Sequence, residues 1–412
     1  MERVVVTGVG AVSCIGNDAN TFWDSLLAGR SGIDRVQAFD ATGYSTQIAG
    51  EVKGFSLDAK LAKRMGRFTQ FAVAAAREGM EQAGLLDGEG HYTGQDANRA
   101  GVSIGTGIGG VPFLEAQHQK FLEKGPGKFH PLTVPIIIGN MASANVAMQH
   151  QILGPNLCVS TACATGNHSI GTALDIIRAG RADVMIAGGA ESTITAYSMD
   201  GYSQLRALST RNDEPQKASR PFSASRDGFV MAEGAGVVVM ESLTHARARG
   251  ADLLAEVLGY GMTADAYHLT APDPESQGAI RAMTLALLDA RLNPGDVGYV
   301  NAHGTSTPLN DALETQAIKQ VFGASVNRLP VSSIKSMVGH SLGAAAGLEA
   351  VACVMALHHR TLPPTINLDD PDPALDLDYV PHTAREVAVK AVMSNSFAFG
   401  GHNAVLVFGA ID

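Results

Sequence analysis

The sequence has few aromatic residues, few cysteines and no excess of positive charge. Aromatic residues make up 6% of its 412 positions, with Trp23 as the single tryptophan, so the core must be built from Ala, Val, Ile and Leu. The spacing of the four cysteines fits neither a zinc module nor a disulfide scaffold, which indicates a reduced and cytoplasmic protein. The formal net charge of −10 argues against a general nucleic-acid-binding protein.

Long apolar runs are also missing. No run reaches the roughly 18 residues needed to span a bilayer, and the first residues lack the charged and apolar regions of a signal peptide. We therefore expect no membrane segment. With 45% hydrophobic and 17% charged residues, the composition excludes an intrinsically disordered or collagen-like chain. A prior of roughly 150 residues per domain suggests two or three domains.

Apolar runs typical of buried strands alternate with amphipathic helical patterns along the chain. The clearest predicted strands cover residues 3–7, 102–104, 183–187, 236–240, 255–261, 297–301 and 405–408, and the clearest helices cover residues 21–27, 69–83, 168–178, 277–290, 311–322 and 343–357. Gly8, Gly10 and Gly16 predict a turn after the first strand. This alternation predicts an α/β fold, and the similar order of elements on both sides of residue 250 predicts two halves, 1–250 and 251–412.

Cys163 lies among small residues between a strand-like segment and a helical pattern, which places its sulfur at a helix N-terminus. A free thiol has a pKa near ~8.5, and lowering it to ~7 needs about 2 kcal/mol. A helix N-terminus usually supplies only about 0.3–1 kcal/mol, so a nucleophilic Cys163 would need a basic partner. Cys14, Cys158 and Cys353 have no such setting and are expected to be structural.

Two histidines and a lysine occur in settings that indicate a site. His303 follows a predicted strand, and His340 precedes a Gly/Ala-rich helix with Lys335 five residues before it. Strand ends in α/β sheets are where binding and catalytic sites form. Cys163 and the two histidines could in principle hold zinc, but no close-spaced ligand pair accompanies them, so we expect no metal.

Several short motifs follow one another in order along nearly the whole chain. They are Val5–Gly8, Thr161–Cys163, Gly188–Glu191, Arg206–Asn212, Ser219–Phe222, Asp227–Phe229, Asn301–Pro308, Lys335–Gly343 and the loop around Phe399. Together they resemble the β-ketoacyl-[acyl-carrier-protein] synthases of the thiolase superfamily, and most closely type II. The resemblance implies a thiolase-like five-layer αβαβα fold built from two similar halves, and a homodimer.

The implied reaction is a decarboxylative Claisen condensation that lengthens an acyl chain by two carbons in type II fatty acid biosynthesis. By resemblance, acyl-carrier protein delivers an acyl group to Cys163. Malonyl-carrier protein then loses carbon dioxide, and its carbanion attacks the acyl thioester. His303 and His340 correspond to the pair that promotes decarboxylation and stabilises the enolate-like oxygen, while Lys335 and Glu349 support them. A neutral histidine can donate through Nε2 while the backbone orients its other nitrogen, and so does not quench the carbanion.

The resemblance also implies the walls of the substrate site. The backbone N–H groups of the nucleophile and of Phe399 would form an oxyanion hole, and the Phe399 ring would gate the acyl pocket. Thr305 and Thr307 correspond to contacts with the phosphopantetheine arm. Ile108 and Tyr202 correspond to positions in the acyl pocket. No cofactor is implied beyond the phosphopantetheine that carries the substrates.

Three residues depart from the family pattern. Ala398 stands where the loop commonly has glycine, and alanine resists positive φ, so the loop's conformational range would be narrower. Tyr202 stands where phenylalanine is frequent, and Thr133 replaces a bulkier residue. The acyl-length preference is therefore open.

An acidic enzyme needs a local basic patch to bind an acidic carrier protein. The candidate residues are Lys63, Arg64, Arg67, Lys124, Lys128 and Arg206.

Three other functions compete with the fatty acid synthase. A synthase of a dedicated type II polyketide or polyene pathway would keep the same motifs. A non-enzymatic chain-length subunit would lack the nucleophile, which Cys163 argues against. A redox thiol protein would need a resolving cysteine, for which Cys158 is the nearest candidate in sequence.

Overall fold

The structure, a computed structural model, describes residues 2–411, in which strands and α-helices alternate. The strands are β1 Val4–Val12, β2 Asp34–Arg35, β3 Ile48–Ala49, β4 Ala100–Gly105, β5 Asn156–Leu157, β6 Val184–Glu191, β7 Gly234–Ser242, β8 Ala255–Ala264, β9 Tyr299–Asn301, β10 Val331–Ser332, β11 Thr361–Leu362, β12 Arg385–Glu386, β13 Ala391–Ala398 and β14 His402–Gly409. The α-helices are α1 Ala19–Leu27, α2 Ala59–Ala62, α3 Arg67–Gln82, α4 Val111–Lys124, α5 Thr133–Ile137, α6 Met141–His150, α7 Thr165–Arg178, α8 Ala196–Gln204, α9 Leu243–Ala248, α10 Gln277–Ala290, α11 Pro308–Phe322, α12 Lys335–Val338 and α13 Ala345–His359.

A ten-stranded mixed sheet runs through the molecule in the order β10-β9-β13-β14-β8-β1-β7-β6-β4-β5. The order is symmetric about the contact between β1 and β8, because each strand of the first half has a counterpart at the same place in the second. At that contact the strands pair only through Val5 with Glu256 and Val6 with Ala255. The sheet therefore consists of two five-stranded halves joined by a short seam.

Two helices lie between the halves of the sheet and form the central layer. Helix α7 packs on β6 and β14, and helix α13 packs on β7 and β13, so each contacts strands of both halves. Helices α3 and α6 cover the outer face of the first half, and α10 and α11 cover that of the second. These layers form the predicted αβαβα fold.

One stretch is apolar enough to cross a membrane by length and composition, which the sequence analysis did not anticipate. It covers Leu342–His359, has a mean hydropathy of 1.4, and is 89% buried inside the protein. Burial on all sides identifies it as a core helix of the central layer.

The predicted turn at Gly8 and Gly10 is wrong, because β1 continues through both residues to Val12. Helix α3 packs directly on the strand there. A Cβ at Gly8 would lie 2.0 Å from the carbonyl oxygen of Gly79, and one at Gly10 would lie 1.9 Å from that of Ala75. The two glycines therefore allow a helix to approach a strand closely and do not mark a turn.

Candidate active site

Cys163 lies in a sharp turn, here called the first elbow, formed by residues 161–165 between β5 and α7. Ala162–Ala164 form a 3-10 turn that leads directly into the helix. Ala162 has a φ of +49°, a conformation that costs a non-glycine residue free energy. The Thr161 N–H donates to Thr165 Oγ1 at 2.9 Å. The elbow buries the Cys163 side chain and places it in front of the helix N-terminus.

The structure brings Cys163, His303 and His340 together, although they are far apart in sequence. One ligand atom from each of the three lies within 4.8 Å of the others, and all three residues are buried. The two imidazole rings are nearly perpendicular, at 87°, with centroids 5.4 Å apart. Two buried histidines therefore face one buried sulfur.

Different contacts hold the two histidines. His303 lies just beyond β9, where its backbone N–H and that of Gly304 donate to the Glu314 carboxylate, each at 2.8 Å. The His340 backbone N–H donates to the Val230 carbonyl oxygen at 2.7 Å, and its ring packs edge-on against Phe229 at 5.2 Å. We expected the backbone to orient the second ring nitrogen, but His340 Nδ1 has no hydrogen-bond partner within residues 2–411.

The contact with Lys335 indicates which ring nitrogen of His303 carries the proton. Its buried ammonium contacts Glu349 Oε1 and lies 3.4 Å from His303 Nδ1. An ammonium group can only donate, so Nδ1 accepts and the ring proton lies on Nε2. His303 therefore presents an N–H donor from its other nitrogen, as the proposed enolate stabilisation requires.

The histidines and the cysteine are held in their neutral forms. Burial lowers the pKa of His303 and of His340 well below 6.5, and the positive charge of Lys335 lowers both further. Burial also raises the pKa of the Cys163 thiol to about 12, although Lys335 and the Phe399 backbone N–H oppose this. Desolvation therefore outweighs the basic partner, Lys335, and the backbone N–H groups that favour the thiolate.

A pocket of about 420 Å³ opens onto the cluster, and most of the predicted site residues line it. These are Cys163, His303, His340, Phe399, Thr305, Thr307, Ile108, Tyr202 and Arg206. Lys335 and Glu349 lie behind the pocket and act through their contacts with each other and with His303. The sulfur lies within hydrogen-bonding reach of the backbone N–H groups of Phe399 and of Cys163 itself, the two groups predicted to form the oxyanion hole.

Phe399 lies at the tip of the hairpin between β13 and β14. Its neighbours Gly400 and Gly401 have positive φ, whereas Ala398 does not and pairs with His402 as the last residue of β13. Alanine is therefore compatible with the hairpin conformation in this structure. The Gly400 N–H donates to the Leu269 carbonyl oxygen at 2.8 Å, which ties the hairpin to the loop after β8.

Ile108 and Tyr202 form part of one wall of the pocket. Ile108 lies in the glycine-rich loop after β4 and is 46% exposed in the single chain, so it is not an ordinary core residue. Tyr202, on α8, packs edge-on against Phe229 with ring centroids 5.6 Å apart. A substituent on either residue would change the space open to a chain held on Cys163.

Thr305 and Thr307 lie side by side where the pocket meets α11. Their hydroxyl oxygens are 2.9 Å apart. Thr307 is also the N-cap of α11, because its hydroxyl accepts from the Asn310 N–H at 3.4 Å. The pair thus combines a helix cap with two hydroxyl groups close to the pocket.

Two buried carboxylates were missed as site residues. Glu191 accepts from Thr106 Oγ1 at 2.8 Å, from the Gly107 N–H at 2.7 Å and from the Gly343 N–H at 3.2 Å. Glu314 accepts hydrogen bonds from the backbone N–H groups of His303 and Gly304. Burial raises the pKa of the Glu314 carboxyl to about 7. A signal for Glu314 was present, since it occupies the helical stripe that also contains Ile318 and Phe322, where an apolar residue is expected.

The predicted basic patch divides into residues with different surroundings. Lys63, Arg64, Lys124, Lys128 and Arg206 are exposed, and Arg206 also lines the pocket. Arg67 instead binds within the protein. Its guanidinium donates to Glu233 at 2.9 Å and to the Val52 carbonyl oxygen at 2.9 Å, and it lies over the Phe71 ring. Arg67 is therefore a structural residue.

The sulfur and two imidazoles form a donor set of the kind that zinc binds. The surroundings disfavour a divalent cation, because the Lys335 ammonium lies beside His303 and pairs with the Glu349 carboxylate. All four cysteines are free, and Cys158 contacts its neighbour's carbonyl oxygen, so no disulfide supports the redox alternative.

Comparison with known families gives two adjoining matches. Residues 1–246 match the description "Beta-ketoacyl synthase, N-terminal domain", and residues 254–369 match "Beta-ketoacyl synthase, C-terminal domain". The chain is 49% identical to a 3-oxoacyl-[acyl-carrier-protein] synthase 2 of Coxiella burnetii, covering 100% of this chain and 99% of that protein. It is 50% identical to the protein of that name from Synechocystis, covering 99% and 98%.

Solved structures with the same architecture include several ketosynthases. The ishigamide ketosynthase/chain length factor superposes with a TM-score of 0.92 at 37% identity, and a β-ketoacyl synthase from Burkholderia phymatum with 0.91 at 36%. A type II polyketide acyl-carrier protein in complex with its ketosynthase contains a chain that superposes with 0.89 at 35% identity. Each match covers 100% of both chains.

Proposed function

This chain belongs to the β-ketoacyl synthase family and has the condensing activity of a 3-oxoacyl-[acyl-carrier-protein] synthase II in fatty acid synthesis, and from this premise we propose how its residues divide the reaction. The observation that carries the proposal is the convergence of one thiol and two neutral imidazoles at the end of a single pocket. A dedicated polyketide or polyene role is the weaker candidate, because the type II polyketide ketosynthase is 35% identical while the 3-oxoacyl-[acyl-carrier-protein] synthases 2 are about 50% identical.

Cys163 is the proposed nucleophile, which holds the acyl group as a thioester. Its thiol attacks the acyl thioester of the carrier protein, the pantetheine thiol leaves, and the thiol proton is transferred in exchange. Because burial raises the pKa of the thiol in the free enzyme, the proton is lost during the attack and not before it, and the leaving pantetheine sulfur takes that proton up. The oxyanion of the tetrahedral intermediate accepts from the N–H groups of Phe399 and Cys163.

His303 and His340 are the proposed donors to the malonyl thioester oxygen. Loss of carbon dioxide leaves an electron pair that the thioester carbonyl takes up as an enolate. Two neutral N–H donors stabilise that oxygen in a site shielded from water, and neither is acidic enough to quench the carbanion readily. The carbanion then attacks the acyl carbon on Cys163, and the cysteine sulfur is expelled and regains a proton.

The division of roles is tested by measuring two half-reactions separately. Wild type and the His303→Ala and His340→Ala variants are given malonyl-carrier protein alone, and carbon dioxide release is followed. The same proteins are given acyl-carrier protein alone, and acylation is followed by intact mass. The proposal requires decarboxylation to fall more than acylation in both variants. A larger loss of acylation would contradict the assignment.

The proposed substrate contacts follow from what lines the pocket. Thr305 and Thr307 hold the phosphopantetheine arm, and Ile108 and Tyr202 bound the acyl chain. The proposed docking patch for acyl-carrier protein consists of Lys63, Arg64, Lys124, Lys128 and Arg206, without Arg67 for the structural reason given above. Arg206 is supported best, since it is exposed and also lines the pocket.

Charge reversal tests the docking patch. Lys63→Glu with Arg64→Glu should raise KM for carrier-protein substrates by roughly tenfold and leave small pantetheine thioesters nearly unaffected, because these do not use the patch. Lys390→Glu is the matched control. Lys390 is exposed but precedes β13, at the opposite end of that strand from the Phe399 hairpin. Equal losses with both kinds of substrate would indicate damage to the active site instead.

A homodimer is proposed from an apolar face on the first half. Helices α4, α5 and α6 and the edge strand β5 pack side by side. Their exposed apolar residues include Leu122, Val134, Met148 and Leu157, together with Phe129 in the intervening loop. Ile108, in the pocket wall, is also exposed, so a second copy of the chain seated on this face would complete the enclosure of the pocket.

The oligomeric state in solution tests the dimer. Val134→Asp combined with Leu157→Lys should yield monomers in sedimentation at micromolar concentration. Leu288→Lys, at a 67% exposed position on α10 of the other half, should leave the dimer intact. A dimer that survives the paired substitution would place the interface elsewhere.

We further propose that the domains divide at residues 1–250 and 251–412, which the symmetric strand order and the two family matches support. A cytoplasmic location is proposed from the four unpaired cysteines and the burial of the one apolar helix found in residues 2–411.

A further inference from the structure

His168 lies on α7, directly behind the elbow that carries Cys163, and the roles assigned above do not use it. It is buried, and its Nδ1 is 3.1 Å from the Ala164 carbonyl oxygen and 2.9 Å from Thr161 Oγ1. A carbonyl oxygen can only accept, so Nδ1 carries the ring proton and donates to it. One N–H group therefore contacts the elbow on both sides of the Ala162–Cys163 dipeptide.

The second half of the chain contains a similar turn, with which the contacts of His168 can be compared. Residues 341–345 form a second elbow, in which Leu342 has a φ of +48° and Leu342–Ala344 form a 3-10 turn that leads into α13. The two elbows have the same backbone course, so Gly343 stands where the first elbow has Cys163. The second elbow therefore has the geometry without the nucleophile.

The second elbow lacks the side-chain bonds of the first. Leu348 occupies the position that corresponds to His168 and is buried in the apolar core. Ser341 corresponds to Thr161, and its buried hydroxyl has no partner among the residues that the structure describes. Ala345 corresponds to Thr165 and has no hydroxyl to accept the preceding N–H. The extra hydrogen bonds thus occur only where a reactive atom must be held in place.

The surroundings of His168 keep it neutral and fixed. Its ring lies edge-on to Tyr260 of β8 and to His402 of β14, with centroids 6.2 and 6.3 Å away. Burial lowers the pKa of His168, His402 lowers it further, and the Ala164 carbonyl opposes both. These contacts leave a single neutral donor aimed at the elbow, clamped between two strands of the second half.

We propose that His168 is a positioning residue for the condensation reaction, which holds the strained first elbow so that the Cys163 sulfur stays at the oxyanion hole and beside the two catalytic histidines. The inference rests on the proposed role of Cys163 as the nucleophile. The second elbow keeps the same positive φ at Leu342 without these bonds, so they are not needed to form the turn. The Nδ1–H bond to Ala164 and the Thr161 contact instead restrain the first elbow from both ends and limit the movement of Cys163. His168 touches no substrate in this account.

Two amide substitutions separate this role from general stability. In His168→Asn, the side-chain amide nitrogen lies as many bonds from Cβ as Nδ1 does, so the variant keeps a donor toward Ala164. In His168→Gln, the amide lies one bond further, nearer the position of Nε2. Both variants are neutral and polar, and both lose the aromatic ring. They differ in where the donor lies.

Acylation of Cys163 by acyl-carrier protein is measured in a single turnover, and carbon dioxide release from malonyl-carrier protein is measured in parallel. His168→Gln should slow acylation by roughly 10–100-fold, because a misplacement of about 1 Å at a reacting atom costs up to about 100-fold. His168→Asn should stay within about threefold of wild type on the same argument. Decarboxylation, which uses His303 and His340, should remain near the wild-type rate in both variants.

A second pair of variants compares the first elbow with the second. Thr161→Val removes a hydroxyl that contacts His168, whereas Ser341→Ala removes the counterpart that has no partner. Acylation should slow in the first variant and stay at the wild-type rate in the second. Equal effects of the two substitutions would show that the elbows are not held differently, and this would overturn the proposal.

Two further results would also overturn it. One is acylation by His168→Gln at the wild-type rate. The other is equal loss of acylation and decarboxylation in both His168 variants, which would indicate collapse of the whole site. Failure of the underlying function has a different signature, because acylation that persists in Cys163→Ala would remove Cys163 as the nucleophile whatever the His168 variants show.

Discussion

The two halves of the molecule share one topology but contribute different chemistry. The first half places a cysteine at its elbow and a glycine-rich loop after β4, whereas the second places Gly343 at its elbow and His303 after β9. Both elbows reach the same pocket, because α7 and α13 lie together in the central layer. The repeated topology thus brings four strand and helix ends to one pocket. The residues at each end can differ while the topology stays the same.

The difference between the halves is also electrostatic. The second half provides the charged groups around the site, Lys335, Glu349 and Glu314, and the first half provides the thiol and the buried Glu191. Glu191 joins the halves, since it accepts from Gly107 in the first and from Gly343 in the second. The nucleophile and the ammonium that lowers its pKa therefore lie on opposite sides of the seam.

The largest expected effect is at the first elbow. Cys163→Ala should abolish acyl transfer while the fold persists, because one small residue replaces another and the second elbow already accepts glycine at this place. Intact mass spectrometry after incubation with acyl-carrier protein should show an adduct on wild type only. An adduct on the variant would place the nucleophile elsewhere and remove the contrast between the elbows.

Removal of a histidine from the second half should have the next largest effect. His303→Ala and His340→Ala should each slow decarboxylation by roughly 10²–10³-fold, the usual cost of one preorganised oxyanion donor. Acyl loading, which depends on the first half, should slow less. Carbon dioxide release at the wild-type rate in either variant would show that the substituted histidine does not stabilise the enolate oxygen.

The loop after β4 should control chain length without affecting the chemistry of the second half. Ile108→Phe adds volume to the pocket wall, and overpacking typically costs about 1–3 kcal/mol, which a shorter chain avoids. Short acyl groups should still load, and long ones should lose roughly 10–100-fold. Loading rates across a graded series of acyl-carrier proteins measure this. A uniform loss at every length would contradict the pocket assignment.

The smallest expected effect is that of pH on decarboxylation. An ordinary histidine titrates near ~6.5. The pKa values of His303 and His340 are held well below this, so both remain neutral as the pH falls from 8 to 6. The rate of carbon dioxide release should therefore change by less than about twofold over that range, provided the protein stays folded. A decline centred near pH 6.5 would show that the second half does not keep its histidines neutral.

The sequence predicted the elements of the fold where periodicity is strong. Helix α10 was predicted at 277–290, where the structure places it, and the pattern of Cys163, His303, His340 and Lys335 pointed to residues that the structure brings together. Gly8 and Gly10 were misread because their packing partners, on α3, lie more than 60 residues away in sequence. Local pattern cannot show which distant backbone approaches a glycine.

The missed parts of the site share a physical cause. Glu314 acts on backbone N–H groups, which carry no sequence signature, and Arg67 binds Glu233 far along the chain. The direction of the Cys163 pKa shift depends on how much water the assembled pocket excludes, which no local motif records. The sequence therefore pointed to the reacting groups and, by resemblance, to Lys335 and Glu349, but not to Glu191 and Glu314, which bind the surrounding backbone.

The short seam between β1 and β8 has a consequence for how the protein unfolds. Within residues 2–411, β1 and β8 pair through two residue pairs, whereas α7 and α13 each pack on strands from both halves. Separating the halves would expose both helices to solvent, including the residues of α13 from Ala345 to Leu357, all of which are buried. The structure should therefore melt as one cooperative unit despite its repeated design, and amide exchange in α7 and α13 should report the same slow global opening. Fragments cut near residue 250 should be unable to fold separately. Each fragment would contain one helix of the central layer and would lack the other, on which its strands also pack.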